Sequence, residues 1–532
     1  ALFTQAFLLS PCFSDHLKMS DTFYHSVGHD AESSEEEYDE DADNDGEEEL
    51  SGVSRGPQAL LSGLTFTSSE VLRATYARMP LRRFGALLRS SAGSDVARGH
   101  SEDCYDLSFP VNKIGEFWSH SWHGLAVLLL HYNYAGGIVG GILGVVAEAL
   151  VISWLGLPRD ANIAGFLGAL LGLTGWLVGL SVNLSRRKVF LDKVSICQTD
   201  AKLKADGIAS LGGFLRVSDC MLILWDPSYF SRLWCVFELT GFAFLQTQQP
   251  EKRILVRPTF HGSIVCVGMC LVACQCMSCR LIAYAIEYQR IGRTASITLL
   301  ALLNFILIWG CTTRLRICAR DAAAISEQVS SFAFSRAECF CCSHGHRHPD
   351  SGEVIPCDRD QVTTAIKSWF GSVDRAEDFL RTHILRSFRL QVGLPYRKAL
   401  LLGLPAVFIY VDLLAWQLHY AAIDSLTENW KCVRDVGGAA LIRFRLVFFL
   451  YPSSADLAIR AAMIFRDKAP SRCGERLKSL RAAIFGFACI IILWVLAETG
   501  FSRFGCSWRV ELCRLAFYVL VTAALYMQRL WK

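Results

Sequence analysis

Charge is what this chain has least of. Only 19% of its 532 residues are Asp, Glu, Lys or Arg, while 52% are hydrophobic and the mean hydropathy is +0.31. That balance excludes an ordinary soluble enzyme and fits several membrane-spanning segments. A Walker loop, a kinase signature set and a G-x-S-x-G elbow are all missing. So is a basic face: positive charge is spread over loops between apolar runs, which excludes a nucleic-acid partner. The opening ALFTQAFLLSPCF lacks a basic n-region and a small-residue cleavage site, so no signal peptide is expected. Basic residues are also missing from Asp30 to Glu49, which holds thirteen acidic ones. Removing them from a net charge of +3 leaves +16 for the rest of the chain. Such a block cannot bury apolar surface and is expected to be disordered, as a solvating tail or a binding segment. Disulfides are not expected despite 21 cysteines. Many, such as Cys266, Cys270, Cys274, Cys276 and Cys279, lie in apolar runs, where a thiol behaves as a small hydrophobe.

What the chain does have is long apolar stretches. Residues 134–155 and 163–184 are each long enough to span a bilayer. Both carry glycine at a spacing of four: Gly136, Gly140 and Gly144, then Gly168, Gly172, Gly175 and Gly179. Small residues one turn apart let helix backbones approach closely in lipid. With the short connector GLPRDAN they predict a tight hairpin, and SRRK at 185–188 predicts a cytosolic exit. Residues 261–279 and 295–311 form a second pair, flanked by Lys252, Arg253 and Arg257 before and Arg314, Arg316 and Arg320 after. Further candidates are 399–418, 440–465, 482–498 and 512–527. The basic run 466–481 should be cytosolic, which requires an even number of crossings before it. Eight spans with both termini inside are expected, the alternative being six with the charged 440–465 segment along the surface.

Between spans, VFLDKVSI and SDCMLILW are continuous apolar runs of strand length, as expected where a parallel sheet is covered on both faces. A helical period at Ile208, Leu211 and Leu215 separates them. DPSYFSRLWCVFEL, residues 226–239, follows as turn plus helix, and ILVRPTF as a further strand. Strands alternating with helices imply a parallel sheet with crossovers. Trp234 and Glu238 lie four residues apart, on one helix face.

In this order VFLDK, SDCMLILW and SYFSRLWCVFEL resemble successive pieces of a TIR (Toll/interleukin-1 receptor) domain. The helix motif is the most specific piece. GEFWSHSW, residues 115–122, resembles the family's first strand and the loop after it. The membrane hairpin would then be inserted between first and second strands, which topology permits because two crossings return the chain to its starting side. No clear counterpart of the family's fifth strand or last helix precedes His261. The expected fold is therefore an α-helical multi-pass membrane protein carrying an inserted α/β, flavodoxin-like TIR-like cytosolic domain. Its parts are an acidic N-terminal region (1–109), first strand and helix (110–133), hairpin (134–184), and the rest of the TIR-like domain (185–260). A span pair (261–312), a cytosolic helical region (313–396) and C-terminal spans (397–532) follow. The resemblance implies self-association with other TIR-like domains at a lipid bilayer.

Some TIR domains cleave NAD at the nicotinamide–ribose bond with the glutamate of this helix motif, which here is Glu238. A carboxylate beside a sugar carbon developing oxocarbenium character suits that chemistry. Trp118, Trp122 and Trp234 are candidate walls for the leaving base. Ser119 and Asp192 are expected in the same cleft, at strand C-terminal ends. The alternative reading packs Trp234 in the core while Glu238 caps the domain or pairs with a basic neighbour such as Arg232. In CFCCSHGHRH, residues Cys339, Cys341, Cys342, His344, His346 and His348, with Cys357 nearby, could supply four zinc ligands, although their spacing is closer than in a standard finger. Reduced, solvated side chains or acylated cysteines are the other readings. Glu148, Asp412 and the Asp456–Arg460 pair sit in apolar runs and raise a channel or transporter as the competing class.

Overall fold

The structure, a computed structural model, describes residues 63–81, 104–120, 124–155, 161–182, 185–287, 293–347, 352–392 and 451–499, with short helical pieces within 404–408 and 516–524. Its centre is a mixed six-stranded sheet. The strands are β1 (Arg73–Tyr76), β2 (Phe109–Pro110), β3 (Glu116–His120), β4 (Lys188–Phe190), β5 (Cys220–Leu224) and β6 (Arg253–Val256). They lie in the order β2-β1-β4-β3-β5-β6. β3 pairs in parallel with β4 on one side and β5 on the other, β5 with β6, while β1 and β2 add antiparallel at the β4 edge. Counted along the chain, the parallel strands stand second, first, third, fourth, as at the start of flavodoxin-like sheets. Arg73–Tyr76 falls within residues 1–109, expected to be acidic and largely disordered, and Phe109–Pro110 straddles the end of that region, so it contributes to two edge strands.

Strand alternation sorts the core into two layers. Phe117, Phe190, Met221, Ile223, Ile254 and Val256 face one side. Trp118, Val189, Leu191, Leu222 and Leu224 face the other. β5 is buried along its whole length, because helices cover both faces. The helices are α1 (Leu125–Trp154), α2 (Ala161–Ser181), α3 (Ala201–Ala209), α4 (Leu211–Arg216), α5 (Leu233–Gln248), α6 (Thr259–Glu287), α7 (Arg293–Ser330), α8 (Asp358–Phe370), α9 (Val373–Phe379), α10 (Leu385–Val392), α11 (Tyr451–Ile464) and α12 (Arg472–Thr499).

The connection from β3 to β4 is the α1–α2 hairpin. The first turns of α1 cover the sheet through Val127 and Leu128. The helix then kinks at Asn133 (φ −138°, ψ 23°) and leaves the sheet. Asn133 Nδ2 donates to the carbonyls of Gly179, Leu180 and Val182 at 2.6, 3.2 and 2.8 Å. Those are acceptors that the end of α2 would otherwise leave open. Above the kink, a Cβ on Gly140 would strike Gly175 O, one on Gly175 would strike Gly140 O, and one on Gly179 would strike Gly136 O. The Phe408 ring seats beside Gly141 and Gly172 in the same way.

Leu125–Ile152 and Ile163–Ser181 are the two helices among the described residues that are long and apolar enough to cross a membrane. A core helix would be mostly buried, but only 22% and 39% of their apolar windows are. Val139, Leu143, Leu150, Val151 and Trp154 are all more than half exposed. α7 has 38 residues, about 57 Å at 1.5 Å per residue, longer than an apolar bilayer core. Its last turns bury Ile325 and Val329 in the main core. The candidate span 399–418 lies largely outside the described residues and 512–527 about half outside, while the second half of 440–465 forms α11. Within 440–465, Asp456 is buried and receives the Arg460 guanidinium at 2.6 Å, so this pair neutralises itself. Asp412 is outside the described residues, and Glu148 is buried on α1.

Two ties were not legible as such in the sequence. Arg316, expected to mark a cytosolic flank, is buried; it donates to the carbonyls of Phe465, Asp467 and Glu475 and to Ser479 Oγ. It binds α7 to the α11–α12 turn. Gln391 on α10 covers the open edge of β6, accepting from Val256 N at 2.9 Å and donating to Ile254 O at 3.1 Å. One side-chain amide thus stands where a further strand would pair, and an exposed edge is avoided. Residues 313–396, expected as a separate helical region, share one core with the sheet: Trp369 of α8 stacks on Phe244 and meets Phe237, both on α5.

Candidate functional site

Ser119 is the fourth residue of β3, near its C-terminal end. Its side chain faces α5, because it alternates with Trp118. Ser119 Oγ donates to Glu238 Oε2 at 2.6 Å and lies 2.7 Å from the Tyr229 hydroxyl. Tyr229 is wholly buried, and its hydroxyl also donates to Cys235 O at 3.2 Å. Glu238 is on α5, two residues after a buried Val236 and between buried Phe237 and Leu239. The helix is anchored at its start by the chain at 338, where Leu233 N donates to Glu338 O at 3.0 Å and Glu338 N to Ser231 O at 2.6 Å. This satisfies a donor that a helix N-terminus leaves open.

The carboxyl opens on a cavity of about 270 Å³. Phe190 and Trp234 give it aromatic walls, and it is also bordered by Asp192, which follows β4, and by Trp118, whose indole lies on the other face of the sheet. The sequence-predicted residues Trp118, Ser119, Asp192, Trp234 and Glu238 thus meet at one place; Trp122 lies outside the described residues. Trp234 is half-buried and donates from Nε1 to Asp358 Oδ2 at 3.3 Å. The alternative of a Glu238–Arg232 pair is not what is seen, since Glu238 bonds to Ser119. Three further residues of the wall, Glu338, Cys339 and Phe340, come from a hundred residues downstream.

Burial pushes the Glu238 carboxyl up to about 8; the Asp192 charge adds to this and the Ser119 hydrogen bond opposes it. At neutral pH the group is therefore mainly a neutral acid. A cation entering the cavity would favour its carboxylate form and release a proton. The sign for stability follows from linkage. The unfolded chain ionises this group near 4.5 and the folded chain near 8, so the folded state holds the extra proton between them. Stability contributed here falls as pH rises through that window, by up to about 1.4 kcal/mol per pH unit. We expect Glu238→Gln to remove this component of the slope, measured by thermal unfolding of the detergent-solubilised chain from pH 5 to 8. An unchanged slope would show that the carboxyl is not held neutral.

A second cluster adjoins the cavity. One ligand atom from each of Cys341, Cys342, His346 and Cys357 lies within 4.8 Å of the others, a set that could hold a metal ion. Of the residues read from the sequence, Cys339 and His344 fall outside this set: Cys339 lines the cavity, with its sulfur touching only Cys341 of the set at 3.5 Å, and His344 Nδ1 bonds to Phe340 O at 2.9 Å. His348 lies outside the described residues. Cys357 completes the set in their place, delivered by the chain just before α8.

The chain matches no family model, no curated protein and no solved structure.

Proposed function

We propose that this chain is a membrane-anchored, TIR-like signalling protein that self-associates through its α/β domain and cleaves NAD at the nicotinamide–ribose bond. The observation that carries the catalytic part is the Ser119–Glu238 pair in an aromatic-walled cavity beside the strands' C-terminal ends. Open α/β sheets bind ligands there, where the strand order reverses. At about 270 Å³ the cavity is smaller than a typical small-molecule site of ~300–1,000 Å³. It suits a ring and its sugar, with the rest of a dinucleotide outside the rim.

The pyridinium charge of NAD draws Glu238 into its carboxylate form as it binds. The carboxylate then faces the ribose carbon as positive charge builds on it. The C–N bond breaks with its electron pair going to the nicotinamide nitrogen, and water adds to the sugar carbon. The proton lost by that water passes to Glu238. In the same reading the domain and both termini are cytosolic, eight segments cross the bilayer, and the Cys/His cluster holds zinc.

The test is nicotinamide release from NAD by the full chain reconstituted in lipid vesicles at high surface density. Ser119→Ala should slow release about tenfold, and the rise of rate with pH should move to higher pH, because the hydrogen bond that favours the carboxylate is gone. No release from the crowded wild-type chain would sink the catalytic reading. Failure to cross-link with itself would sink self-association separately.

A further inference from the structure

The segment that closes the Glu238 cavity is also the one that carries the cysteines. Cys339, in the cavity wall, has its sulfur 3.5 Å from that of Cys341. Beyond it, the Cys341–Cys342 and Cys342–Cys357 sulfurs are 4.0 and 3.9 Å apart. A disulfide requires about 2.05 Å. Two thiolates on one tetrahedral zinc, each about 2.3 Å from the metal, stand about 3.8 Å apart. The spacing is that of ligands around a shared ion.

Two groups from the start of α8 reach these sulfurs. The Asp358 N–H donates to Cys341 Sγ at 3.2 Å. The Arg359 guanidinium, held by Phe334 O and Ala337 O at 2.6 and 2.5 Å, acts on Cys339, Cys342 and Cys357. His346 adopts a left-handed backbone (φ 59°) directly after Gly345 (φ 60°). A non-glycine residue in that region costs on the order of 1 kcal/mol and persists where its surroundings fix it. Here the turn is pinned by His346 N to Cys341 O and Ile355 N to His346 O, both at 2.8 Å.

We propose that Cys341, Cys342, His346 and Cys357 bind one zinc ion, and that this ion braces residues 338–340 over the Glu238 cavity. Three thiolates and one imidazole form a closed structural set for zinc. The bracing role follows from how little else fixes this loop. Among the described residues between Ala337 and Cys357 the regular structure is one helical turn, Phe340–Ser343, and two bridges, Arg232 to Glu338 and Arg347 to Val354. Yet the loop touches α5 on both sides of the cluster, through Glu338 before it and through the Asp358–Trp234 hydrogen bond after it. A single ion ties those two contacts together. The inference rests on the zinc reading above and is independent of NAD turnover.

Metal analysis of the full chain purified in detergent should find one zinc per chain. His346→Ala and Cys357→Ser should lower it at least about fivefold, while Cys339→Ser, His344→Ala and Glu238→Gln keep it. Cobalt exchanged into the wild-type chain should show the absorption bands of a tetrahedral thiolate site, a readout that needs no variant. Stripping the metal from the wild-type chain should speed amide exchange about tenfold or more in 338–343 and 232–238, and added zinc should restore it. No bound metal, or equal loss with Cys339→Ser, would overturn the site. Bound metal whose removal leaves exchange at 232–238 unchanged would overturn the brace.

Discussion

Glu238→Gln should stop NAD cleavage, lowering the rate at least about 10³-fold while leaving the chain folded. Electrostatic stabilisation of charge developing in a transition state contributes about 10²–10³-fold when one preorganised group is removed. A positioned acid or base adds about 10²–10⁴-fold. Glu238 supplies both in the proposed mechanism, and because two roles of one side chain do not multiply fully, about 10³-fold, below their smallest product of about 10⁴, is a conservative floor. Glutamine keeps the shape and can still accept from Ser119 Oγ, now 2.6 Å from Glu238 Oε2. It also removes a carboxyl whose ionisation burial opposes. The variant should therefore be at least as stable as the wild type at pH 8, which separates lost chemistry from lost structure. Nicotinamide release is the measurement, with thermal unfolding beside it. A variant retaining more than a tenth of the activity would move the chemistry away from this carboxyl.

The residues legible in the sequence are those whose position follows from a local period. Trp234 and Glu238 lie one helical turn apart, whereas Trp118 and Ser119 are placed only by the resemblance of GEFWSHSW to a first strand and its loop. Asp192 directly follows a run of β-branched and aromatic residues. The chain brings them to one cavity although the hairpin separates Ser119 from Asp192. What was not legible depends on closure over long separations. Tyr229, the third hydroxyl-bearing partner of the Ser119–Glu238 pair, lies in the quoted stretch but reads there as one more aromatic. Glu338 and Cys339 reach the cavity through backbone pairing with Ser231 and Leu233, which leaves no trace in spacing. Cys357 is legible as a nearby candidate, but that it joins Cys341, Cys342 and His346 while His344 turns to Phe340 O depends on a fifteen-residue loop returning to the helical turn. Gln391 as a substitute strand and Arg316 as a buried clamp are likewise single side chains whose roles exist only in the folded chain.

Gly175→Val should disrupt the fold, with a loss of about 3 kcal/mol or more, because the collision involves backbone on both sides. A Cβ at Gly175 meets Gly140 O, and the reciprocal Cβ at Gly140 meets Gly175 O. Neither can rotate away, so α1 and α2 must part. Overpacking in a soluble core costs ~1–3 kcal/mol when neighbours can shift; here they cannot. In lipid, close approach of small residues is itself the main source of helix association, so parting the backbones forfeits contact along the whole seam. The damage reaches the sheet, because the hairpin is the connection between β3 and β4. Tyr132, just before the kink, accepts from Trp118 Nε1 at 2.9 Å and donates to the Glu116 carboxylate, which also pairs with Arg187 Nε at 2.7 Å. Through Trp118 this chain of bonds reaches β3 next to Ser119, on the strand's other face. Splaying the hairpin should thus lower both the yield of folded chain and its NAD turnover. Gly310→Val on α7 is the control, since a Cβ there meets nothing within 4 Å. Equal thermal stability of the two variants would mean that the glycine seam does not hold the hairpin, and that the sheet does not depend on it.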